Sequence, residues 1–114
     1  MRLDRGALIL LDLNPMIGPE QRGFRPCVVV SDPAVTDDQR YPLVCVVPVT
    51  GTEGEGALYP LLRPNGSGLL RPSHALVDHL RSVDKRRVRR VFGRISGEEL
   101  EALDDGLSLF LGLG

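Results

Sequence analysis

Apolar residues gather in short runs along the chain, separated by segments rich in Gly, Pro and charged side chains. The runs predict six strands, over residues 7–13, 26–31, 43–49, 57–62, 75–80 and 88–95. Turn-like segments lie between them at 32–42, 51–56 and 64–72. Short, regularly spaced strands of this kind indicate a mainly β fold that closes into a small barrel.

Alternation within the strands indicates a sheet that is apolar on both faces. In 7–13, one face carries Ala7, Ile9, Leu11 and Leu13, and the other carries Leu8, Leu10 and Asp12. The strand near residue 46 repeats the pattern, with Leu43, Cys45, Val47 and Val49 opposite Val44, Val46, Pro48 and Thr50. Both faces must therefore be covered. We expect the C-terminal helix to cover one face and a second subunit to cover the rest.

The C-terminal segment has the clearest helical pattern. Ser96 and Glu99 have the spacing of a capping box, and acidic residues crowd the first turns, where the helix dipole favours them. An amphipathic stripe follows, formed by Leu100, Leu103, Leu107 and either Phe110 or Leu111. This stripe is expected to pack on the core, and Gly112 is the predicted stop.

Composition bounds the class of protein. The 114 residues suit one domain over 1–114, and with five aromatic residues and 42% hydrophobic residues the core must be aliphatic. No apolar run approaches the roughly 20 residues that span a bilayer, and no signal-peptide cleavage site follows the N-terminal apolar stretch. Cys27 and Cys45 lie in valine-rich strands and are interpreted as buried free thiols, which fits a reducing cytoplasm.

Charge is segregated although the net charge is only −1. Half of the 14 Lys and Arg residues lie between positions 81 and 94: Arg81, Lys85, Arg86, Arg87, Arg89, Arg90 and Arg94. The following segment carries Glu98, Glu99, Glu101, Asp104 and Asp105. The basic cluster is either a contact surface for a polyanion or a solvated loop paired with the acidic helix.

The segment 14–31, NPMIGPEQRGFRPCVVVS, joins two buried strands through a loop shaped by Gly and Pro. Scaffolds often carry their chemistry on such loops, and this one bears Glu20, Gln21, Arg22 and Arg25. The alternative is a hairpin loop whose charges are merely solvated.

These residues resemble the MazF/PemK family, the toxins of bacterial toxin–antitoxin pairs. The string G-x-E-Q-x-G-x-R-P at 18–26 is specific, and the similarity continues in V-V-P-V-T at 46–50 and R-S-V-D-K at 81–85. It covers nearly the whole chain. Two departures are Ala7, where the family usually has an acidic residue, and His79, where it usually has Gln.

The resemblance implies a small SH3-like β-barrel with a C-terminal helix. It implies a sequence-specific endoribonuclease that needs no metal or other cofactor and cleaves single-stranded RNA, including mRNA. Attack by the 2′-OH would leave a 2′,3′-cyclic phosphate and a 5′-OH end, and so inhibit translation and growth. The implied partners are a second copy in a homodimer and an antitoxin with a flexible acidic tail.

Three residues are predicted to carry the chemistry. Arg25 is the first candidate, because a guanidinium stays charged and forks onto two phosphate oxygens; alternatively it buttresses the loop by pairing with Glu20. Thr50 ends a buried strand, where its hydroxyl can donate to a phosphoryl oxygen or satisfy a backbone group. Glu20 is a candidate base or an orienter of Arg25.

A second set of residues is predicted to contact RNA: Gln21, Arg22, Phe24, Ser73, Asp78, His79, Arg81 and Arg86. The ring of Phe24 is suited to stacking on a base. Histidine is a side-chain type that serves as an acid or base, so His79 is a candidate for that role, or it replaces the family's Gln in a contact. No group of His, Cys and carboxylate residues has the spacing of a metal site.

Two competing functions remain open. A non-enzymatic toxin of the same fold would bind a protein target such as a topoisomerase. A general nucleic-acid-binding barrel would use the basic cluster at 81–94. Retention of Arg25 together with Thr50 favours the nuclease.

Overall fold

Seven antiparallel strands form one curled sheet in the computed structural model, which describes residues 3–13, 23–52 and 54–114. The strands are β1 (Ala7–Asp12), β2 (Phe24–Val29), β3 (Leu43–Thr50), β4 (Leu61–Leu62), β5 (Ser73–Ala75), β6 (Arg81–Asp84) and β7 (Val88–Arg94). The helices are α1 (Pro33–Thr36) and α2 (Gly97–Leu111), with 3-10 turns at Val77–His79 and Lys85–Arg87. No helix in these residues is long and apolar enough to cross a membrane.

Strand β3 is the branch point of the sheet. The strand order is β4-β5-β3-β2-β1-β7, and β6 also pairs with β3. β5 pairs with the C-terminal end of β3 at Val49 and Thr50, whereas β6 pairs with residues 43–46. The segment between β5 and β6 is thereby held against the middle of β3. This divergence curls the sheet into a half-barrel and confirms the mainly β prediction.

One core lies between the sheet and α2. Leu8, Val28 and Val47 come from three neighbouring strands and pack with Leu103 and Leu107 of the helix. As predicted for the amphipathic stripe, Leu103 and Leu107 are buried, and Leu100 packs partly buried against them. The stripe ends there, because the side chains of Phe110 and Leu111 are about half exposed.

A second core lies on the opposite face of the sheet. It contains Ile9, Leu11, Cys27, Val29 and Val46, together with Val83 of β6 and Val88 of β7. The apolar character of both sheet faces is therefore confirmed. Val83 and Val88 contribute to this core within one chain, and cover of the remaining apolar surface by a second subunit stays a prediction.

Both ends of α2 follow the sequence prediction. The Glu99 N–H donates to Ser96 Oγ at 3.1 Å, and the Ser96 N–H donates to Glu99 Oε1 at 2.9 Å, which completes the capping box. Gly112 ends the helix in the left-handed conformation at φ 70°, which glycine adopts without strain. Cys27 and Cys45 are free thiols, Cys27 buried and Cys45 half-buried.

Two predicted strands are shorter than expected. In 57–62 only Leu61–Leu62 is a strand, because a turn closed by the Tyr59 N–H on the Gly56 carbonyl at 3.0 Å takes up the rest. In 75–80 the strand ends at Ala75 and a 3-10 turn follows, with the His79 N–H bonded to the Leu76 carbonyl at 2.9 Å. Apolar runs thus marked buried chain whose backbone is partly in turns.

Two elements were missed. β6 carries only one buried apolar residue, Val83, among Arg81, Ser82 and Asp84, so it produces no apolar run. Helix α1 lies inside the predicted turn 32–42 and is a single turn. Asp32 caps it by accepting from the Ala34 N–H at 2.8 Å, and Pro33 occupies its first turn.

Candidate active site

A groove of about 550 Å³ opens on the face of the sheet that carries Cys27. We call it the central groove; its main lining residues are Arg25, Pro48, Leu76, Asp78, His79 and Arg81. The Leu76 N–H donates to the Pro48 carbonyl at 2.8 Å, which ties the segment after β5 to β3. The branching of the sheet therefore brings β2, β3, the first 3-10 turn and β6 to one place.

Two guanidiniums converge on the central groove. Arg25 lies near the start of β2 and Arg81 begins β6. Burial raises the pKa of the Cys27 thiol to about 12, and the charges of Arg81 and Arg25 act in the opposite direction, since both lie near the sulfur. In the described residues neither guanidinium has a hydrogen-bond partner, and both residues are exposed. Among the described residues, the groove thus presents unpaired positive charge near a neutral thiol.

A carboxylate lies in the same groove. Asp78 Oδ2 accepts a hydrogen bond from the Tyr59 hydroxyl at 2.8 Å, and the pKa of Tyr59 is raised chiefly by that bond. Asp78 Oδ1 is buried without a donor among the described residues, and His79 Nε2 lies 3.8 Å from it. Asp78 and His79, both predicted to contact RNA, are therefore brought together with Arg25 and Arg81.

Thr50 ends β3 and lines a second groove. Cys27 pairs with Pro48 across β2 and β3, and strand alternation carries Arg25 and Thr50 to the same sheet face as this pair. The Thr50 hydroxyl accepts from the Thr52 N–H at 3.2 Å. That contact leaves the hydroxyl hydrogen available for a further acceptor.

The second groove has a volume of about 470 Å³ and is lined by Pro26, Thr50, Leu69, Arg71, Ser73 and Phe92. Ser73, a predicted RNA contact, is buried and its hydroxyl donates to the Arg71 carbonyl at 3.1 Å. Phe24 is 54% exposed and alternates to the opposite sheet face from Arg25. The sequence predictions therefore divide between two grooves, which have no lining residue in common.

Arg86 lies far from Arg25. Asp84 pairs with Leu43, the first residue of β3, and Thr50, the last residue of that strand, lies roughly 23 Å away along it. Arg25 lies at the Thr50 end of β3, because Cys27 pairs with Pro48. Arg86 donates to Asp84 at 3.0 and 2.9 Å, and this lowers the pKa of Asp84 to about 2. The structure does not bring Arg86 together with the other predicted RNA contacts. Glu20, Gln21 and Arg22 lie outside the described residues.

Much of the basic cluster is engaged within the chain. Lys85 Nζ donates to the carbonyls of Val35 and Asp38 at 2.9 and 3.0 Å, and Arg89 pairs with Asp12 at 3.1 Å. In the described residues Lys85 and Arg89 contact loop and sheet groups rather than the acidic face of α2, and a polyanion contact of the basic cluster stays a prediction. That helix is instead bound through Asp104 to Arg5.

Sequence reasoning missed Tyr59. It precedes Asp78 by 19 positions, and its contact with that carboxylate depends on the turn at 56–59. No local sequence pattern indicates such a contact. In the described residues no group of three or more His, Cys, Asp and Glu side chains is placed to hold a metal ion.

Comparison with known proteins identifies the family. A family model described as the PemK-like, MazF-like toxin of type II toxin–antitoxin systems matches residues 4–111. Endoribonuclease MazF9 of Mycobacterium tuberculosis (strain ATCC 25618 / H37Rv) is 36% identical over 115 residues, with 96% of each chain covered.

Solved structures agree with the sequence comparison. A MazE–MazF complex from Deinococcus radiodurans has a TM-score of 0.82 at 28% identity, with 100% of this chain and 99% of that chain covered. An endoribonuclease in complex with its cognate antitoxin, from a mycobacterial species, has a TM-score of 0.80 at 20% identity over 97% and 96% of the chains; at that identity the likeness concerns the fold. With the family model matching almost the full length, the chain belongs to the MazF/PemK-like toxin family of type II toxin–antitoxin systems.

Proposed function

We propose that this endoribonuclease of the toxin family cleaves single-stranded RNA by attack of a ribose 2′-OH on the adjacent phosphorus. The products are a 2′,3′-cyclic phosphate and a 5′-OH end, and cutting of mRNA inhibits translation and growth. The observation that carries the proposal is the pair of guanidiniums in the central groove, Arg25 and Arg81, which have no hydrogen-bond partner among the described residues and lie beside the ionisable side chains of Asp78 and His79. The 36% identity to a protein named an endoribonuclease supports the reaction class.

Arg25 is assigned to the transition state. As the 2′-oxygen attacks, charge grows on the equatorial phosphoryl oxygens, and a preorganised guanidinium stabilises it most where water is excluded. A guanidinium carries five donors in a planar fork and stays protonated at any working pH. Arg25 therefore binds and stabilises but moves no proton.

Thr50 supplies a neutral donor to the same phosphoryl group. Its hydroxyl accepts the Thr52 N–H, and this contact orients the O–H bond outward from the end of β3. Glu20 is proposed to take the proton of the 2′-OH, as a carboxylate base. No step needs a metal ion, because the nucleophile belongs to the substrate and arginine neutralises the phosphorane.

The RNA path extends from the central groove into the second groove. Gln21, Arg22, Phe24 and Ser73 are proposed to contact nucleotides on either side of the scissile step. Exposed Phe24 supplies a stacking surface, as single-stranded bases commonly use. Arg81 binds a backbone phosphate beside Arg25.

An acidic, flexible antitoxin tail is proposed to occupy the same grooves and exclude RNA. The Deinococcus complex of MazE with MazF supports such a partner. A homodimer is proposed as the working unit, and the apolar side chains left exposed at the end of α2, Leu109, Phe110 and Leu111, support a further protein contact.

The decisive experiment is incubation of the purified protein with a long single-stranded RNA in EDTA, followed by mapping of both ends at each cut. We expect cuts at one short sequence, with cyclic phosphate and 5′-OH termini. A substrate carrying one 2′-deoxy sugar at the mapped step should stay intact. Intact RNA with persistent toxicity in cells would favour the alternative, a non-enzymatic toxin that binds a protein such as a topoisomerase.

A further inference from the structure

The Asp78 carboxylate has one satisfied oxygen and one that lacks a donor. Oδ2 accepts from the Tyr59 hydroxyl at 2.8 Å. Oδ1 is buried with no donor in the described part of the chain. A buried carboxylate oxygen without a hydrogen bond is costly, and His79 Nε2 lies 3.8 Å away. A small rotation of the ring lets its Nε2–H satisfy this oxygen.

His79 lines the central groove, its Nε2 lies 3.8 Å from Asp78 Oδ1, and its side chain is 58% exposed. Pairing of Nε2 with Asp78 would leave Nδ1 for a ligand in the groove. A carboxylate partner commonly sets the ring orientation and tautomer of a histidine in this way. A protonated imidazole then presents an N–H donor at Nδ1. Charged groups from two other elements line the same groove, Arg25 of β2 and Arg81 of β6.

The reaction requires an acid that the guanidiniums cannot provide. The leaving 5′-oxygen needs a proton, yet arginine keeps its protons at any working pH. Histidine is the side-chain type suited to general acid catalysis, and His79 is the histidine among the residues that line the groove. The family usually has Gln at this position, and an amide donates a hydrogen bond without transferring the proton. The departure from the family pattern thus adds a chemical capacity to this chain.

Resting on the proposed transesterification, we propose that His79 is the general acid, with Asp78 as its positioning residue and Tyr59 holding Asp78. As the O2′–P bond forms and the P–O5′ bond breaks, the Nδ1 proton of the imidazolium passes to O5′. The 2′-OH proton passes to the general base of the proposed transesterification. Exchange with water restores both groups after the products leave.

The test compares two substrates that differ in one atom. The first is an oligoribonucleotide spanning the mapped cut site, and the second has sulfur in place of the bridging 5′-oxygen at that step. A thiolate leaves without a proton, so the second substrate does not need an acid. Removal of a general acid costs about 10²–10⁴ in rate. We expect His79→Gln to lose about 10²-fold or more on the oxygen substrate and less than about threefold on the sulfur substrate.

The variant His74→Gln is the matched control. It makes the same exchange at a histidine whose Nδ1 contacts the Thr52 carbonyl at 3.2 Å, outside the central groove, and any change in rate that it causes should be equal on the two substrates. Equal losses for His79→Gln on both substrates would assign His79 to binding and overturn the proposal. So would wild-type rates on the oxygen substrate.

Asp78→Asn tests the positioning role. A histidine acid works only while protonated, so the wild-type rate on the oxygen substrate should fall on the alkaline side. In Asp78→Asn the fall should begin at lower pH, and in His79→Gln it should be absent. An alkaline limb unchanged in both variants would overturn the assignment. Failure of the proposed function itself is a distinct result, in which the wild type leaves both substrates intact or releases no cyclic phosphate.

Discussion

The central groove and the opposite end of β3 both carry dense positive charge, but they use it differently. At the opposite end, which we call the far-end cluster, Lys85 and Arg86 bind groups of their own chain, the carbonyls of Val35 and Asp38 and the carboxylate of Asp84. In the central groove, the described residues offer Arg25 and Arg81 no hydrogen-bond partner. Positive charge is available to a ligand only where the fold leaves it unpaired.

The comparison explains why local charge density is a weak indicator of a binding site. The sequence concentrates half its cations at 81–94, which first suggests one continuous polyanion surface. The fold splits that stretch between β6, a 3-10 turn and β7. Arg81 lines the central groove, whereas Arg86 belongs to the far-end cluster. Arg81 and Arg86 are only five positions apart in sequence, but the fold places them in different regions of the molecule.

The largest expected effect separates the two regions directly. Arg25→Ala should lower the cleavage rate by about 10³-fold or more, since loss of one neutral oxyanion donor already costs about 10²–10³ and a transition-state arginine about 10³–10⁵. Arg86→Ala removes the same side chain from the far-end cluster and should change the rate by less than about threefold. Single-turnover cleavage of the mapped oligoribonucleotide measures both.

Circular dichroism and thermal unfolding provide the control for Arg25→Ala, which should remain folded because the residue is exposed. A folded Arg25→Ala variant that cuts normally would remove Arg25 from the site. If Arg86→Ala lost as much activity as Arg25→Ala, the contrast between the two regions would be wrong.

Thr50→Val should have the next largest effect. It removes one neutral donor and keeps the β-branched shape, so we expect a loss of about 10²-fold, smaller than for Arg25→Ala. Thr52→Val, two positions along, is the matched control, because Thr52 contacts the Thr50 hydroxyl through its backbone N–H, which the substitution keeps. Cleavage at the wild-type rate by Thr50→Val would give Thr50 a purely structural role.

The predictions from sequence succeeded where patterns are local. The capping box at Ser96 and Glu99, the stop at Gly112 and the apolar alternation of β1 and β3 each depend on residues within a few positions, and the structure has all of them. The sequence pattern did not predict β6, because this strand is defined by its pairing with β3, in which Val83 lies opposite Val44. Pairing across nearly 40 positions leaves no periodic signal in so short a segment.

The candidate site divides in the same way. The family resemblance selected Arg25, Asp78 and Arg81, and the structure brings these three together. The predicted RNA contacts also included Arg86 of the basic cluster, whose side chain is engaged by its near neighbour Asp84. Tyr59 could not be found from sequence, since its role depends on the turn that carries its hydroxyl to Asp78. Composition alone does not reveal which charges a fold pairs internally.

The third prediction concerns the acidic antitoxin tail and tests charge availability without catalysis. An acidic peptide should compete with uncleavable, 2′-deoxy-substituted RNA, and its binding should weaken as salt rises because exposed charges are screened beyond about 8 Å at 0.15 M. Arg81→Ala should lower the affinity for the peptide by about two- to fivefold, in line with the loss of one exposed ion pair. Arg86→Ala should leave this affinity unchanged. Competition titrations followed by fluorescence anisotropy at two salt concentrations measure this. Simultaneous binding of peptide and RNA would show two separate sites.

The oligomeric state of the protein must be known to interpret these titrations. Sedimentation of the purified chain at micromolar concentration should give a dimer. A monomer at that concentration would refute the proposed homodimer while leaving the competition within one chain intact.

The smallest expected effect concerns stability at the far-end cluster. The hydrogen bonds from Arg86 to Asp84 lower the pKa of that carboxyl from 3.8 to about 2 in the folded chain. A carboxyl with a depressed folded pKa stabilises the fold above its unfolded pKa, and this contribution is lost as pH falls toward 2. Because both groups are solvated, the effect should be small and weakened by salt. Wild type should therefore melt slightly above Arg86→Ala at pH 5–7, and the gap should close between about pH 4 and pH 2. Arg25→Ala, with no carboxylate partner in the described residues, should follow the wild-type curve. A gap for Arg86→Ala that persists unchanged at pH 2 would mean that the guanidinium stabilises the turn by packing rather than by its bond to Asp84.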